Sequence, residues 1–459
     1  MDWLLDNVEK YPDKIFINDI TYAQAYKLVL EYAHNISSRI KEFTRVAICP
    51  KNNEKTILLL LSLLSLRKEI VLINSHLTHE EKIIQCKNTE TKILITDCTS
   101  FSSSQGITFY TIDKILEKDS KSEENPPQIL FTTSPEQTAF IINTSGTTGK
   151  SKTIKIMWKH IISHVYMSKK KLGVTQNDVW LIVLPIFHVG GLMIIFRSLY
   201  NGTSIKTLEK FDCNTVLNLI RKEEVNMISL VPTMLNKIID KITTHNLRLI
   251  LLGGESTPLN LINKIIDKKI PVYKTYGMTE TLSQIATFNL LEYPNKKLAS
   301  GLPLENVKIK IVDKDKNNVG KIYVSSPTNT NTSNDYFNTN DYGYLDKEGF
   351  LYVISRRNDL IISGGENIYP KEIENVLYEL NTVEECIVLP IENSYYGQRP
   401  ILHIVTSESE ENIRKFLLNK IAKYKVPDHI IFHAKLPRNI LGKIDVKALM
   451  KIHINLYNE

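Results

Sequence analysis

Apolar runs at residues 93–95, 139–142, 181–184, 227–231 and 249–252 end in small or polar residues and give way to stretches with helical spacing. Uninterrupted apolar runs of this length, alternating with helices, predict a parallel α/β sheet. Between residues 305 and 355 the pattern shortens to stretches at 307–312, 321–324 and 350–354, separated by turn-forming sequence such as 313–320. That change predicts an antiparallel β module behind the α/β part. Farther on, Tyr369-Pro370-Lys371-Glu372 precedes Ile373, Val376, Leu377 and Leu380, apolar at i, i+3, i+4 and i+7. Those positions share one helix face, with proline in the first turn. The expected architecture is α/β. A large N-terminal domain over residues 1–357 combines α/β sheets with the antiparallel module, and a small mobile α+β C-terminal domain follows over 358–459.

Length and composition narrow the class without changing this picture. With 459 residues, 18 glycines and 17 prolines the chain is long enough for a large core and is neither collagen-like nor low-complexity. Residues 119–135 and 327–335, rich in Ser, Thr, Asn and Pro, read as exposed loops. The longest apolar run, residues 57–66, is about half what a membrane-spanning helix needs. The N-terminus is acidic where a signal peptide is basic. A cytoplasmic protein without integral membrane association is expected. Five dispersed cysteines with no C-x-x-C pair suggest neither a disulfide framework nor a zinc site. The formal charge of +7 raises the question of nucleic acid, yet residues 358–459 hold 12 Lys and Arg against 14 Asp and Glu. Within that segment ten basic residues fall between Arg414 and Lys451, opposed only by Asp428 and Asp445. A local basic surface suits a polyphosphate ligand as well as DNA, and much of it reads as a solvated helix face.

The strongest local signal is the stretch 142–152, Ile-Asn-Thr-Ser-Gly-Thr-Thr-Gly-Lys-Ser-Lys. Its glycines permit close backbone approach, and its amides and hydroxyls can converge on phosphate oxygens. The Walker A pattern G-x-x-x-x-G-K-[ST] requires glycine at 144, where this chain has Thr144. A P-loop nucleoside triphosphatase and a plain Ser/Thr turn are the competing readings of that segment alone.

The segment Thr-Ser-Gly-Thr-Thr-Gly-Lys-Ser-Lys resembles the phosphate loop of the adenylate-forming superfamily of acyl-CoA synthetases, adenylation domains and luciferases. The remaining motifs of that family follow in order over roughly residues 10–450. The resemblance implies that Ser145, Gly146, Thr147, Thr148, Gly149 and Lys152 hold ATP phosphates. In Tyr276-Gly277-Met278-Thr279-Glu280, it makes Glu280 the Mg²⁺ residue, Thr279 an α-phosphate contact and Tyr276 an adenine neighbour. It makes Gly253, Gly254 and Glu255 the adenine-side wall, Asp341 and Arg356 the ribose pair, and Asn358 the hinge. Asn340 and Ser355 stand where the family pattern has glycine. Gly364 and Gly365 resemble the loop on the coenzyme A side, and Lys443, in Pro437-Arg438-Asn439-Ile440-Leu441-Gly442-Lys443, resembles the lysine that bridges carboxylate and α-phosphate. The implied reagents are ATP, Mg²⁺, coenzyme A as co-substrate and a carboxylic acid, with no nucleic acid partner. A homo-oligomer is compatible with the sequence.

The acid is read from His188, which follows an apolar strand and precedes a glycine pair. A cationic or donor group there suits a second carboxylate, while a long acyl chain calls for an apolar lining. With 184–188, 277–284 and 363–370, the chain looks most like the members that activate an aromatic dicarboxylate in menaquinone biosynthesis. His188, Thr281 and Ser283 are the residues implied to contact that acid. A ligase for another aryl or short acyl acid, and a stand-alone adenylation enzyme loading a carrier protein, keep the same motifs.

Overall fold

A computed structural model describes residues 3–97, 106–118, 134–145, 151–315, 318–330, 336–356, 361–363, 366–393, 396–438 and 443–456. Two α/β sheets occupy the N-terminal part. In one of eight strands, Val179–Ile182, Ser204–Thr207, Met227–Leu230, Leu249–Leu252 and Val272–Tyr276 run parallel, and Ala286–Asn289 closes one edge antiparallel. The predicted runs at 181–184, 227–231 and 249–252 are central strands of this sheet. Successive residues serve two cores. Trp180, Ile182, Met227, Leu249 and Leu251 belong to one cluster, while Leu181, Ile228, Leu230, Ile250 and Leu252 belong to another. Both faces are covered, which is why these strands read as unbroken apolar runs.

The second sheet, of six strands, contains Ile93–Ile95, Arg45–Ile48, Glu69–Leu72 and Thr138–Ser145 in parallel array. Much of the apolar run 57–66 forms helix Glu54–Ser65, which connects two of these strands and is buried on nearly every side. Among the described residues no helix is long and apolar enough to cross a membrane.

The antiparallel module is a four-stranded sheet of Lys308–Val312, Gly320–Ser325, Phe337–Leu345 and Leu351–Arg356. Its third strand was not expected from the sequence, because Phe337–Leu345 (FNTNDYGYL) is largely polar. The smaller C-terminal part is built on Ile361–Ser363, Glu366–Ile368, Val383–Asn393, Gly397–Thr406 and His429–Phe432. Helix Pro370–Leu377, with proline in its first turn as predicted, packs Ile373 and Leu377 into a separate core with Val388, Leu402 and Ile404.

Candidate active site

The carboxyl ends of parallel strands leave backbone groups and loop side chains at one edge of a sheet, where α/β proteins bind ligands. Three such ends matter here: Met227–Leu230, Leu249–Leu252 and Val272–Tyr276.

Beyond Val272–Tyr276 the chain makes a tight reversal. A Cβ on Gly277 would lie 2.0 Å from the carbonyl oxygen of Ser283, so only glycine fits. A short 3₁₀ turn, Thr279–Thr281, follows, and then Leu282 and Ser283 take left-handed φ values of 53° and 79°. Thr281 braces this turn: it is fully buried, and its hydroxyl accepts from the Met278 amide (3.2 Å) and donates to the Met278 carbonyl (3.3 Å). Thr330 donates its amide (2.9 Å) and hydroxyl (3.1 Å) to the Glu280 carbonyl. The turn thereby presents the Glu280 carboxylate 3.8 Å from the Lys152 amine.

Lys152 belongs to strand Ser151–Met157, which pairs antiparallel with Thr138–Ser145 so that Ser145 stands opposite Ser151. The Ser/Thr/Gly segment therefore links two strands of a hairpin. A P-loop requires a helix after its glycine-rich segment, so this topology removes the P-loop reading. A single half-buried carboxylate beside a lysine suits Mg²⁺, which takes one or two protein carboxylates and completes its shell from water and substrate phosphates.

On the neighbouring module the Tyr276 hydroxyl donates to Asp341 Oδ2 at 2.6 Å, and Asp341 is almost fully buried. Asp341 and Arg356 are register partners across two strands. Asn340, in place of the family's glycine, takes φ 60°, a left-handed conformation that asparagine tolerates.

After Leu249–Leu252, a Cβ on Gly253 would meet Thr275 Cγ2 at 2.7 Å, and Gly254 has φ +87°. The Lys443 amine donates to the Gly254 carbonyl at 3.4 Å, so the C-terminal lysine reaches this strand end. Burial pushes the Glu255 carboxyl up, against the pull of Lys443, Arg438 and Lys371.

His188 caps the start of helix Val189–Asn201, with its ring 4.6 Å from that of Phe187. Gly191 is required beside it, since a Cβ there would lie 2.4 Å from the Leu184 carbonyl. Burial, helped by Lys443, lowers the His188 pKa to about 4. Of the two readings open for this position, a cation or a donor, burial favours the neutral ring, which serves as a donor or acceptor. Its Nε2 is buried and has no hydrogen-bond partner among the described residues.

A buried cationic group sits farther along the same helix. Arg197 is 1% exposed and lies 5.1 Å from the Trp180 ring, and burial lowers its pKa to about 9. Its Nη2 donates to Gln284 Oε1 at 3.4 Å, while Nε and Nη1 have no partner among the described residues. Gln284 is fixed in turn by its amide donating to Thr287 Oγ1 at 2.8 Å. Sequence reasoning passed over Arg197, although one arginine within the apolar stretch 189–199 was a visible signal.

Of the expected site residues, the structure brings Lys152 to Glu280, Tyr276 to Asp341, and Lys443 to Gly254, with Lys443 also acting electrostatically on His188 and Glu255. Ser283 is half-buried in the turn, and Thr279 opens it. Ser145 and Arg356 are located by their strands alone. Gly146, Thr147, Thr148, Gly149, Asn358, Gly364 and Gly365 lie outside the described residues.

The model of the AMP-binding enzyme family matches residues 4–334, and that of the AMP-binding enzyme C-terminal domain matches 372–443. The chain is 43% identical over 456 residues to 2-succinylbenzoate–CoA ligase of Lactococcus lactis subsp. lactis, covering 98% of this chain and 100% of that protein. Among solved structures it resembles o-succinylbenzoate CoA synthetase (MenE) from Bacillus subtilis. The complex with the acyl-adenylate intermediate OSB-AMP gives a TM-score of 0.88 at 32% identity, covering 98% and 97% of the two chains. The complex of that enzyme with ATP and magnesium ion gives 0.86 at 31% identity, covering 96% and 98%.

Proposed function

The chain belongs to the AMP-binding enzyme family, and from that premise we propose that it joins 2-succinylbenzoate to coenzyme A, with ATP converted to AMP and pyrophosphate, in menaquinone biosynthesis. The observation that carries the choice of acid is Arg197, a buried guanidinium with two nitrogens, Nε and Nη1, that have no acceptor among the described residues. Burying a charge without a partner is costly, so a pocket that keeps one is built for an anion. An acid with one carboxylate near His188 and Lys443, and a second on an aromatic ring near Arg197, suits these two buried groups.

In the first half-reaction the succinyl carboxylate attacks the α-phosphorus of ATP, a new C–O–P linkage forms, and the bond to pyrophosphate breaks. Lys443 neutralises charge gathering on the carboxylate and α-phosphate, where a preorganised cation is most effective. The segment 145–152 holds the phosphates, with Thr279 at the α-phosphate. Tyr276, Asp341 and Arg356 hold the nucleoside, and Gly253, Gly254 and Glu255 wall the adenine. Glu280 holds Mg²⁺, which supplies charge neutralisation on the triphosphate. Ser283 and the neutral His188 line the acid, and Thr281 acts through the turn it braces.

The domain formed by residues 358–459 then turns about Asn358 and withdraws Lys443. Gly364 and Gly365 approach, and the coenzyme A thiol attacks the acyl carbon, losing its proton as AMP departs. The partners are small molecules, and the cytoplasm, which supplies ATP and coenzyme A, is the compartment proposed.

Arg197→Met tests the acid assignment. Thioester formation is measured with 2-succinylbenzoate and with 4-oxo-4-phenylbutanoate, which lacks the ring carboxylate. Wild type prefers the diacid, and the substitution lowers that preference by between about ten- and a hundredfold, the value of a hydrogen-bonded charge contact. Unchanged preference in a folded variant contradicts the assignment.

A further inference from the structure

Behind Arg197 lies a second buried group that the reaction as described leaves unused. His164, on helix Trp158–Leu172, is fully buried, and neither of its ring nitrogens has a hydrogen-bond partner among the described residues. Burial, with the nearby Arg197 charge, holds its pKa well below the usual histidine value, so the ring is neutral. A neutral imidazole offers one acceptor and one donor nitrogen. Its neighbour Arg197 has two N–H positions, Nε and Nη1, that lack acceptors. The other constraints on the guanidinium are already in place. Trp180 supplies a ring face at 5.1 Å and is itself pinned by its indole N–H donating to Ser229 Oγ at 3.1 Å. Gln284 accepts from Nη2 and is held through Thr287, whose hydroxyl is 2.8 Å from that of Thr275. Phe196, next to Arg197, packs edge-to-face on Trp158 of the helix that carries His164, with ring centroids 5.9 Å apart, and the Arg197 charge acts on the His164 ring.

We propose that His164 is a positioning residue for acid specificity, its acceptor nitrogen taking a hydrogen bond from the Arg197 guanidinium, directly or through one buried water, and so aiming the remaining N–H at the ring carboxylate of the substrate. Unpartnered buried polar atoms are individually expensive, and waters commonly satisfy them in polar cavities. Two such residues on packed helices leave donor and acceptor capacity that a carboxylate completes. The proposal rests on the reading of Arg197 as the carboxylate anchor, and His164 itself touches no reacting atom.

His164→Met and His164→Gln match in length and differ in their capacity to accept a hydrogen bond. With 2-succinylbenzoate, H164M raises KM about tenfold, the worth of one buried hydrogen bond, and leaves kcat nearly unchanged. KM for 4-oxo-4-phenylbutanoate, MgATP and coenzyme A stays put, so the diacid preference falls by the same factor, and H164Q restores most of it. Equal shifts with both acids, or none, overturn the proposal. If R197M abolishes the preference and H164M leaves it intact, His164 has no part and the Arg197 assignment stands; if R197M leaves it intact, the Arg197 assignment itself fails. A measurement on the unsubstituted enzyme covers the case of a variant that does not fold. With ¹⁵N-labelled histidine, the His164 ring-nitrogen resonances move on adding 2-succinylbenzoate and not on adding the monoacid, and resonances unmoved by the diacid refute the role.

Discussion

Replacing Lys443 by alanine separates the two half-reactions. The amine lies 3.4 Å from the Gly254 carbonyl and acts electrostatically on His188 and Glu255, which supports the proposal that it bridges the carboxylate and α-phosphate. Two unit charges about 4 Å apart interact by roughly 4 kcal/mol at an effective dielectric of about 20. Lys443 is half-buried, and part of that energy is already realised with bound substrates, so only the portion gained in the transition state accelerates the step. A loss of about 10²- to 10³-fold in adenylation follows, at 1.36 kcal/mol per tenfold. Rapid-quench measurement of pyrophosphate release reports the first step, and thioester formation from supplied 2-succinylbenzoyl-adenylate and coenzyme A reports the second. The second step falls by less than about threefold, since the proposed turn of residues 358–459 withdraws Lys443 before the thiol attacks. Equal losses in both steps, or a loss in adenylation below about tenfold, refute this division of labour.

Three other perturbations address the supports of the site. Tyr276→Phe deletes the 2.6 Å hydrogen bond to Asp341; KM for MgATP rises about tenfold while KM for the acid holds, and an unchanged nucleotide KM contradicts the ribose-side assignment. Gly277→Ala drives a Cβ to 2.0 Å from the Ser283 carbonyl, so the melting temperature falls by several degrees and adenylation falls with the displaced Glu280; a variant as stable and active as wild type rules out the close approach. Stability also declines in mild acid. His160 and His188 are lowered by burial to about 4, and His164 is lowered too. An unfolded chain takes up these protons below its own pKa of about 6.5 while the folded chain does not, so nothing is lost above that pH and stability falls from there toward 4, by roughly 2 kcal/mol each for His160 and His188 at pH 5, with His164 acting in the same direction. Urea midpoints compared at pH 7.5 and 5 test it, and the slope is reduced in His160→Gln; a flat profile contradicts it.

What the sequence revealed follows from how local each signal is. Strands such as Leu249–Leu252 were legible because burial on both faces makes every residue apolar. Phe337–Leu345 was not, because its buried positions hold Thr339, Asp341 and Gly343, with Asp341 paired to Tyr276, which removes the apolar pattern. The motif residues around Glu280 were legible by type, and the structure adds the reason for their spacing: Gly277 is forced by Ser283, and Asn340 supplies the left-handed backbone for which glycine is usual. The charge state of His188 stayed open in the sequence because burial sets it, and burial depends on neighbours distant in the chain. Arg197 was overlooked for a related reason, since its polar contact, Gln284, is 87 positions away and meets it only in the folded protein.

The most direct test of the account is a single-turnover reaction with excess enzyme, MgATP and 2-succinylbenzoate, first without and then with coenzyme A, read by pyrophosphate release and mass spectrometry. The account predicts stoichiometric pyrophosphate with 2-succinylbenzoyl-adenylate retained on the enzyme, converted to 2-succinylbenzoyl-CoA and AMP when coenzyme A is added. No pyrophosphate from this acid under conditions where another acid releases it contradicts the assignment of substrate, and adenylate that accumulates without passing to coenzyme A contradicts the assignment of ligase.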